Sequence, residues 1–253
     1  MNRSEADVDT RVPAPKRFKW PKALPALSPR QQAIQDDFVE HWHRVLPERY
    51  GVIEKFNHGY PLRHLPGRKR WRTLELGAGM GAHLEFEPLD RQEYHCIELR
   101  GMMADALRRK YPSVVTVTGD CQQRIPYEDG YFDRVVAIHV LEHLPNLPAA
   151  IDEIDRVLMP GGLVSVVLPC DPGLAYELAR KVSAERVFKA KHKMPYRWFV
   201  RRQHINSPKE ILHEINRKFE IFDRVYFPLA VPVINLNLCI GVTARKPPPE
   251  SHG

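Results

Sequence analysis

The sequence predicts a doubly wound α/β fold: a mostly parallel sheet with helices on both faces and an antiparallel C-terminal strand. Three observations carry that prediction. From Trp71 onward, apolar runs of strand length alternate with segments of helical period. The connections between them are short, which suits buried parallel crossovers. Two further apolar stretches near the C-terminus, Phe219 to Phe227 and Leu238 to Ala244, are available to finish the sheet.

The candidate strands are Thr73 to Leu76, Tyr94 to Glu98, Val114 to Thr118, Arg134 to His139 and Leu163 to Leu168. Helical periodicity marks Gly101 to Tyr111 and Leu147 to Met159, the latter with Ile151, Ile154, Val157 and Leu158 on one face. Met159-Pro160-Gly161-Gly162 supplies a stop and a turn. Upstream, residues 1–27 contain Pro13, Pro15, Pro21 and Pro25 among basic and small residues and read as a loose tail. Residues 28–66 read as a helical cap. Ser28 is its N-cap, Pro29 takes the first helical position, and Ile34, Phe38 and Trp42 share a face. Phe56-Asn57-His58-Gly59-Tyr60-Pro61 reads as irregular and leads into a core spanning 67–172. Residues 173–205 form a basic lid or insertion, expected to be helical in part. The region 206–246 completes the sheet, and 247–253 is a tail. Within 206–246, Ser207-Pro208-Lys209-Glu210 reads as a capped helix start.

At 253 residues the chain can bury a substantial core, and its apolar and charged fractions are those of an ordinary globular protein. The most apolar candidate span, Phe227 to Val242, holds Pro228, Pro232, Asn235 and Asn237, which are costly in hydrocarbon. No integral membrane segment is expected. Cys96, Cys121, Cys170 and Cys239 lie far apart without CxxC spacing, so no metal site and no disulfide framework is expected, and a reducing cytoplasm fits. The net charge of +7 is concentrated. Residues 180–204 carry nine Lys and Arg against the single acid Glu185, which favours an anionic partner: a phosphate-bearing small molecule, a nucleic acid or an acidic membrane face. A solvated basic helix reads the same stretch as well.

Glu75-Leu76-Gly77-Ala78-Gly79-Met80-Gly81 closes the first strand in a glycine turn, where backbone amides can approach a ligand closely. By itself the turn also satisfies a relaxed dinucleotide fingerprint, Gly77-x-Gly79-x-x-Ala82, with Glu98 at a distance suited to ribose hydroxyls. Glu75 separates the readings. Two residues before the first glycine, a carboxylate pairs with the amino group of an amino-acid ligand but repels a pyrophosphate, which favours S-adenosylmethionine over NAD. At the end of the third strand, Asp120 of Gly119-Asp120-Cys121 can accept a hydrogen bond from an adenine amino group.

From about Thr73 to Pro169 the chain resembles the class I S-adenosylmethionine-dependent methyltransferases, especially their small-molecule type 11 group. The resemblance runs in order through ELGAGMG, the acid of CIELR, GDCQQRIPYEDGYFD, VLEHL and RVLMPGG. It implies a Rossmann-like sheet with S-adenosylmethionine as cofactor. It also implies that Glu75, Gly77, Ala78, Gly79 and Gly81 hold the methionine moiety, Glu98 the ribose, and Asp120 with Cys121 the adenine, with His139 beside the cofactor.

A sulfonium methyl donor is already reactive, so alignment and exclusion of water matter most, and only an acceptor that loses a proton needs a base. His139, His143 and His204 are the candidate bases. His143 can equally cap its loop through a backbone hydrogen bond. Tyr50, Phe56, His58, Tyr60, Tyr196, Trp198, Phe199 and Arg202 are candidate lining of the acceptor pocket. The leading expectation is O-methylation of a small or lipid-linked anionic acceptor such as a sugar or glycan intermediate. The Arg-Gln-His-Ile-Asn-Ser-Pro segment, which resembles those of polysaccharide-associated members, supports it. Methylation of a quinone-like molecule or of RNA is the alternative, the latter weakened by the lack of an Asn-Pro-Pro-Tyr or Asp-Pro-Pro-Tyr segment. No feature of the sequence sets an oligomeric state.

Overall fold

The computed structural model describes residues 18–38, 51–68 and 70–248. Seven strands form one sheet: β1 (Trp71–Leu76), β2 (Gln92–Glu98), β3 (Val115–Thr118), β4 (Phe132–Ile138), β5 (Leu158–Pro169), β6 (Glu220–Phe227) and β7 (Cys239–Arg245). Their order is β3-β2-β1-β4-β5-β7-β6. Pairing is parallel from β3 through β5, and β7 runs antiparallel to both β5 and β6. The strand order reverses between β1 and β4, and beyond the carboxyl ends of those strands lies the crevice where open α/β sheets bind ligands.

The helices are α1 (residues 29–38), α2 (Gly51–Gly59), α3 (Gly101–Lys110), α4 (Leu147–Val157), α5 (Leu174–Val182), α6 (Ala184–His192), α7 (Arg197–Gln203) and α8 (Pro208–Lys218). α4 buries Leu147, Ala150, Ile151, Ile154 and Val157, an i, i+3, i+4 stripe that packs with Ile211 and Ile215 of α8 over β4, β5 and β7. Each fully buried aliphatic side chain contributes roughly 1.5–3 kcal/mol. Against the other side, Leu107 of α3 packs with Leu84, Tyr94, Cys96 and Val114. Both predicted N-caps form. Ser28 accepts from the Gln31 amide, and Ser207 exchanges a full capping box with Glu210.

Several expectations change. Phe56 to Pro61 is not irregular: it is the end of α2 followed by a 3-10 turn at Tyr60–His64. Met159 to Gly162 stops α4 but does not leave the sheet; it bulges within β5, where the residues between Leu158 and Leu163 lie opposite Asp133 alone on β4. Residues 18–27, read as tail, pack on the body. Trp20 lies against the main core, and the Lys22 amide donates to Pro145 O at 2.8 Å while its ammonium donates to Ile205 O at 2.7 Å. The basic stretch folds as α5, α6 and α7, where Phe188, Tyr196 and Phe199 form a separate aromatic cluster around Phe38 of α1. Residues 1–17, with Pro13 and Pro15, together with Trp42, Tyr50 and residues 249–253, lie outside the described residues.

Candidate donor and acceptor sites at the carboxyl edge of the sheet

The turn after β1 uses its glycines as backbone. Gly77, Gly79 and Gly81 have φ of 63°, 56° and 78°, values that favour glycine strongly. A Cβ on Gly77 would stand 2.6 Å from Val140 Cγ2, so this turn and the tip of β4 touch. Gly77 N donates to Ile97 O, and Gly79 N donates to Glu98 Oε2 at 2.9 Å, fastening the turn to the end of β2. The other Glu98 oxygen accepts from Arg100 N at 2.9 Å. With two lone-pair positions on each oxygen, that carboxylate can still accept ribose hydroxyls.

Downstream of the turn the chain departs from a dinucleotide site. The segment that follows holds 3-10 turns at His83–Glu85 and Leu89–Arg91, so among the described residues no α-helix begins directly after the glycines to receive a pyrophosphate. The negative Glu98 carboxylate suits a ligand that carries an ammonium and a sulfonium as well as a ribose.

Glu75 itself is turned inward and is 3% exposed, with the Tyr94 hydroxyl donating to Oε2 at 3.0 Å. Burial pushes its carboxyl up to about 8, against the lowering effect of the Tyr94 bond. Glu75 thus presents its carboxyl to the Tyr94 hydroxyl of the neighbouring strand. It stands above a buried network in which Arg134 donates to Glu87 Oε1 and to Pro61 O, both at 2.8 Å, and His83 Nε2 lies 2.7 Å from Glu87. Asp120 accepts from Gln122 N at 2.9 Å, and Gln122 Oε1 accepts from Asn146 N at 2.7 Å. Cys121 is buried, and burial pushes its thiol up to about 12, which leaves it a neutral small apolar group. Ala78 is buried with Leu84 and Leu107. Sequence reading missed Met80, Leu99 and Met102, large apolar side chains left exposed around this turn and the end of β2. Their exposure, not motif spacing, reveals them.

Past the tip of β4 stands a second group. His139 has φ 53°, a left-handed conformation costly for a non-glycine residue and often found at functional sites. Its Nδ1 lies 3.3 Å from Glu142 Oε1, and His143 Nε2 lies 3.7 Å from the same oxygen. The segment after α7 clasps this turn. Asn206 Nδ2 donates to Leu141 O and Leu144 O, Ile205 N and Asn206 N donate to Glu142 O, and His143 Nδ1 bonds to Gln203 O at 2.6 Å. The clasp brings His204 within 5.3 Å of His143, ring centre to ring centre. Asp171, just past β5, holds His204 Nδ1 at 2.8 Å and accepts from Arg180 Nη1 at 2.8 Å. Burial opposes charge on Glu142, but His143 and His139 outweigh it and hold the carboxyl down to about 2. Burial also lowers the His143 imidazole, which favours its neutral form.

His139, His143 and His204 are thus together, with Glu142, Asp171 and Arg180 as partners that sequence reading had not singled out. The described residues expected to line the acceptor pocket also pack against one another and against the sheet. Tyr60 is buried against β7 and bonded to Thr243, Phe56 stacks on Phe227, and His58 stacks on His83. Tyr196 and Phe199 belong to the cluster around Phe38, Trp198 packs against that cluster, and Arg202 donates to Pro25 O.

Residues 74–166 match the model of the type 11 methyltransferase domain. Among named relatives, the Probable phthiotriol/phenolphthiotriol dimycocerosates methyltransferase 2 of Mycobacterium ulcerans (strain Agy99) is 28% identical over 160 residues, 62% of this chain and 60% of that protein. The Demethylmenaquinone methyltransferase of Beutenbergia cavernae is 35% identical over 105 residues, 40% of this chain and 42% of that protein. The chain therefore spans less than two thirds of the length of either. The crystal structure of the CurJ carbon methyltransferase has the same fold, with a TM-score of 0.61 at 16% identity over 87% of this chain and 61% of that one. Motifs, sheet order and family match agree over residues 74–166, which form a class I S-adenosylmethionine-dependent methyltransferase domain of the type 11 group.

Proposed function

We propose that this protein transfers the methyl group of S-adenosylmethionine to a hydroxyl of a small or lipid-linked anionic acceptor, such as a sugar or glycan intermediate. S-adenosylmethionine supplies an electrophilic methyl carbon on a sulfonium. The glycine turn, Glu98 and Asp120 hold and orient that donor, with Cys121 contributing backbone and packing. The observation that carries the acceptor reading is the meeting of three imidazoles and two carboxylates, Glu142 and Asp171, beside Val140, which itself touches the glycine turn. An imidazole there takes the hydroxyl proton as the oxygen attacks, and a neighbouring carboxylate stabilises the imidazolium formed.

Charge on the α5–α7 segment, whose end clasps the histidine turn, supports an anionic acceptor. Glu185, Asp37 and Asp171 pair with Lys189, Lys191 and Arg180, but Arg186, Lys193, Arg197 and Arg201 have no ion pair among the described residues. The names of the relatives, a lipid and a quinone methyltransferase, support a lipid-linked molecule. A quinone-like acceptor is the second reading, favoured by Leu174, Leu178 and Val182, exposed at i, i+4 and i+8 on α5.

Calorimetry with S-adenosylmethionine and with NAD, followed by an acceptor screen of phosphorylated sugars, quinones and RNA, tests the proposal. The sulfonium should bind and NAD should not, and Glu98→Ala should weaken donor binding by about 1–3 kcal/mol. Preference for NAD, or methyl transfer to RNA alone, overturns it.

A further inference from the structure

We infer that Glu142, His143 and His204 form a site for a divalent transition-metal ion. One ligand atom from each of the three lies within 4.8 Å of the others. His143 and His204 are far apart in sequence, so no spacing motif announces the set, and the sequence expectation of no metal rested on the cysteines alone.

Two further observations point to a cation. Glu142 is 1% exposed, and while its Oε1 faces His139 and His143, its Oε2 is buried with no hydrogen-bond partner. A carboxylate oxygen out of water and unpaired is costly, and a metal ion bound by both oxygens of Glu142 is a partner that removes that cost. The two rings are also prepared in the manner of ligands. His143 engages Gln203 O through Nδ1, and His204 engages the Asp171 carboxylate through Nδ1, with Arg180 fixing that carboxylate in turn. Metal-binding histidines characteristically donate the second ring N–H to a carbonyl or carboxylate, which fixes the tautomer and leaves the Nε2 lone pair for the ion.

An ion about 2.1 Å from each ligand holds ligand atoms ~3.4 Å apart, so ring rotations of about 1 Å close the set. Both imidazoles are partly exposed and can make them. Two nitrogens and one carboxylate suit Zn2+, Co2+ or Fe2+ better than Mg2+ or Ca2+, and leave one or more open positions. The bearing of this site on methyl transfer rests on the function proposed above: an acceptor oxygen at an open position would be polarised beside the donor, with His139 outside the ligand set.

The test uses the full chain after chelator treatment, titrated with Co2+ followed by visible absorption and with Zn2+ by competition against a chromophoric chelator. One equivalent should bind, with d–d bands of a nitrogen-containing low-symmetry site. E142Q and H204N should each weaken binding at least tenfold. D171N keeps all three ligands and should weaken binding 10–100-fold. Calorimetry with S-adenosylmethionine on each variant reports whether the fold and donor site are intact. If E142Q or H204N fails to fold, D171N and the wild-type spectrum decide. No saturable binding by the wild-type chain, or one-equivalent binding that survives E142Q, H204N and D171N unchanged, overturns the site. Metal binding without donor binding would keep the site and sink the methyltransferase proposal, and the reverse result would do the opposite.

Discussion

The donor and acceptor edges of this sheet sit side by side but are held by different forces. At the donor edge, backbone does the holding. Three left-handed glycines and the amides of Gly77 and Gly79 fix the turn to β2, all within about twenty-five consecutive residues. Beneath it, Arg134 and Glu87 are wholly buried. At the acceptor edge, side chains do the holding, and they come from the β4–α4 turn, the end of β5 and the segment before α8. A site made of local backbone persists through many sequences, whereas one made of distant side chains can be retuned residue by residue.

The largest expected effect breaks the donor edge from below. Arg134→Met removes the cation from Glu87 and leaves a buried charge with only His83 and Gln92 to meet it. That should cost about 3–5 kcal/mol of stability in urea unfolding. Arg180→Met, which removes a partly exposed cation from buried Asp171 at the acceptor edge but leaves it bonded to His204, should cost markedly less. Equal costs would mean that the two edges do not differ in how they are supported.

Acidity separates two carboxyls of the donor edge. Burial pushes Glu75 up to about 8, so the folded protein keeps that proton at pH values where the unfolded chain, with its ordinary carboxyl, has lost it. Its stabilising share is complete below about pH 4.5 and is lost as pH rises toward 8. Glu87 behaves oppositely. His83 and Arg134 overcome burial and hold it down to about 2, so its share is present above about pH 4.5 and is lost as pH falls toward 2. The melting temperature should therefore fall between pH 5 and 8, on the order of 5–10 °C. Glu75→Gln should flatten that slope in a pH series of thermal melts. An unchanged slope would show that Glu75 is not the titrating group.

Much of this was legible in the sequence because it is local. Strand periodicity from Thr73 to Leu168, the caps at Ser28 and Ser207 and the glycine turn each depend on residues a few positions apart. The inward turn of Glu75 was not legible, because it depends on Tyr94 of the neighbouring strand reaching across to it. Nor was Asp171, which reads as one more loop acid until the fold sets it against His204. The packing of the aromatic residues of 196–199 was not legible because composition cannot distinguish a pocket wall from a packing cluster, and the cluster depends on Phe38 of a separate helix.

The smallest predicted effect concerns the clasp itself. Asn206 is 1% exposed and gives both amide protons to the carbonyls of Leu141 and Leu144, which bracket Glu142 and His143. Asn206→Ala leaves those carbonyls short of donors at a cost of about 1–3 kcal/mol and frees the turn to move. Because the glycine turn gains nothing from Asn206, calorimetry should find the affinity for S-adenosylmethionine unchanged while methyl transfer to any accepted substrate falls. If donor affinity drops in step with transfer, the contact between Gly77 and Val140 couples the two edges into one unit. The separation of backbone-held from side-chain-held sites would then have to be given up.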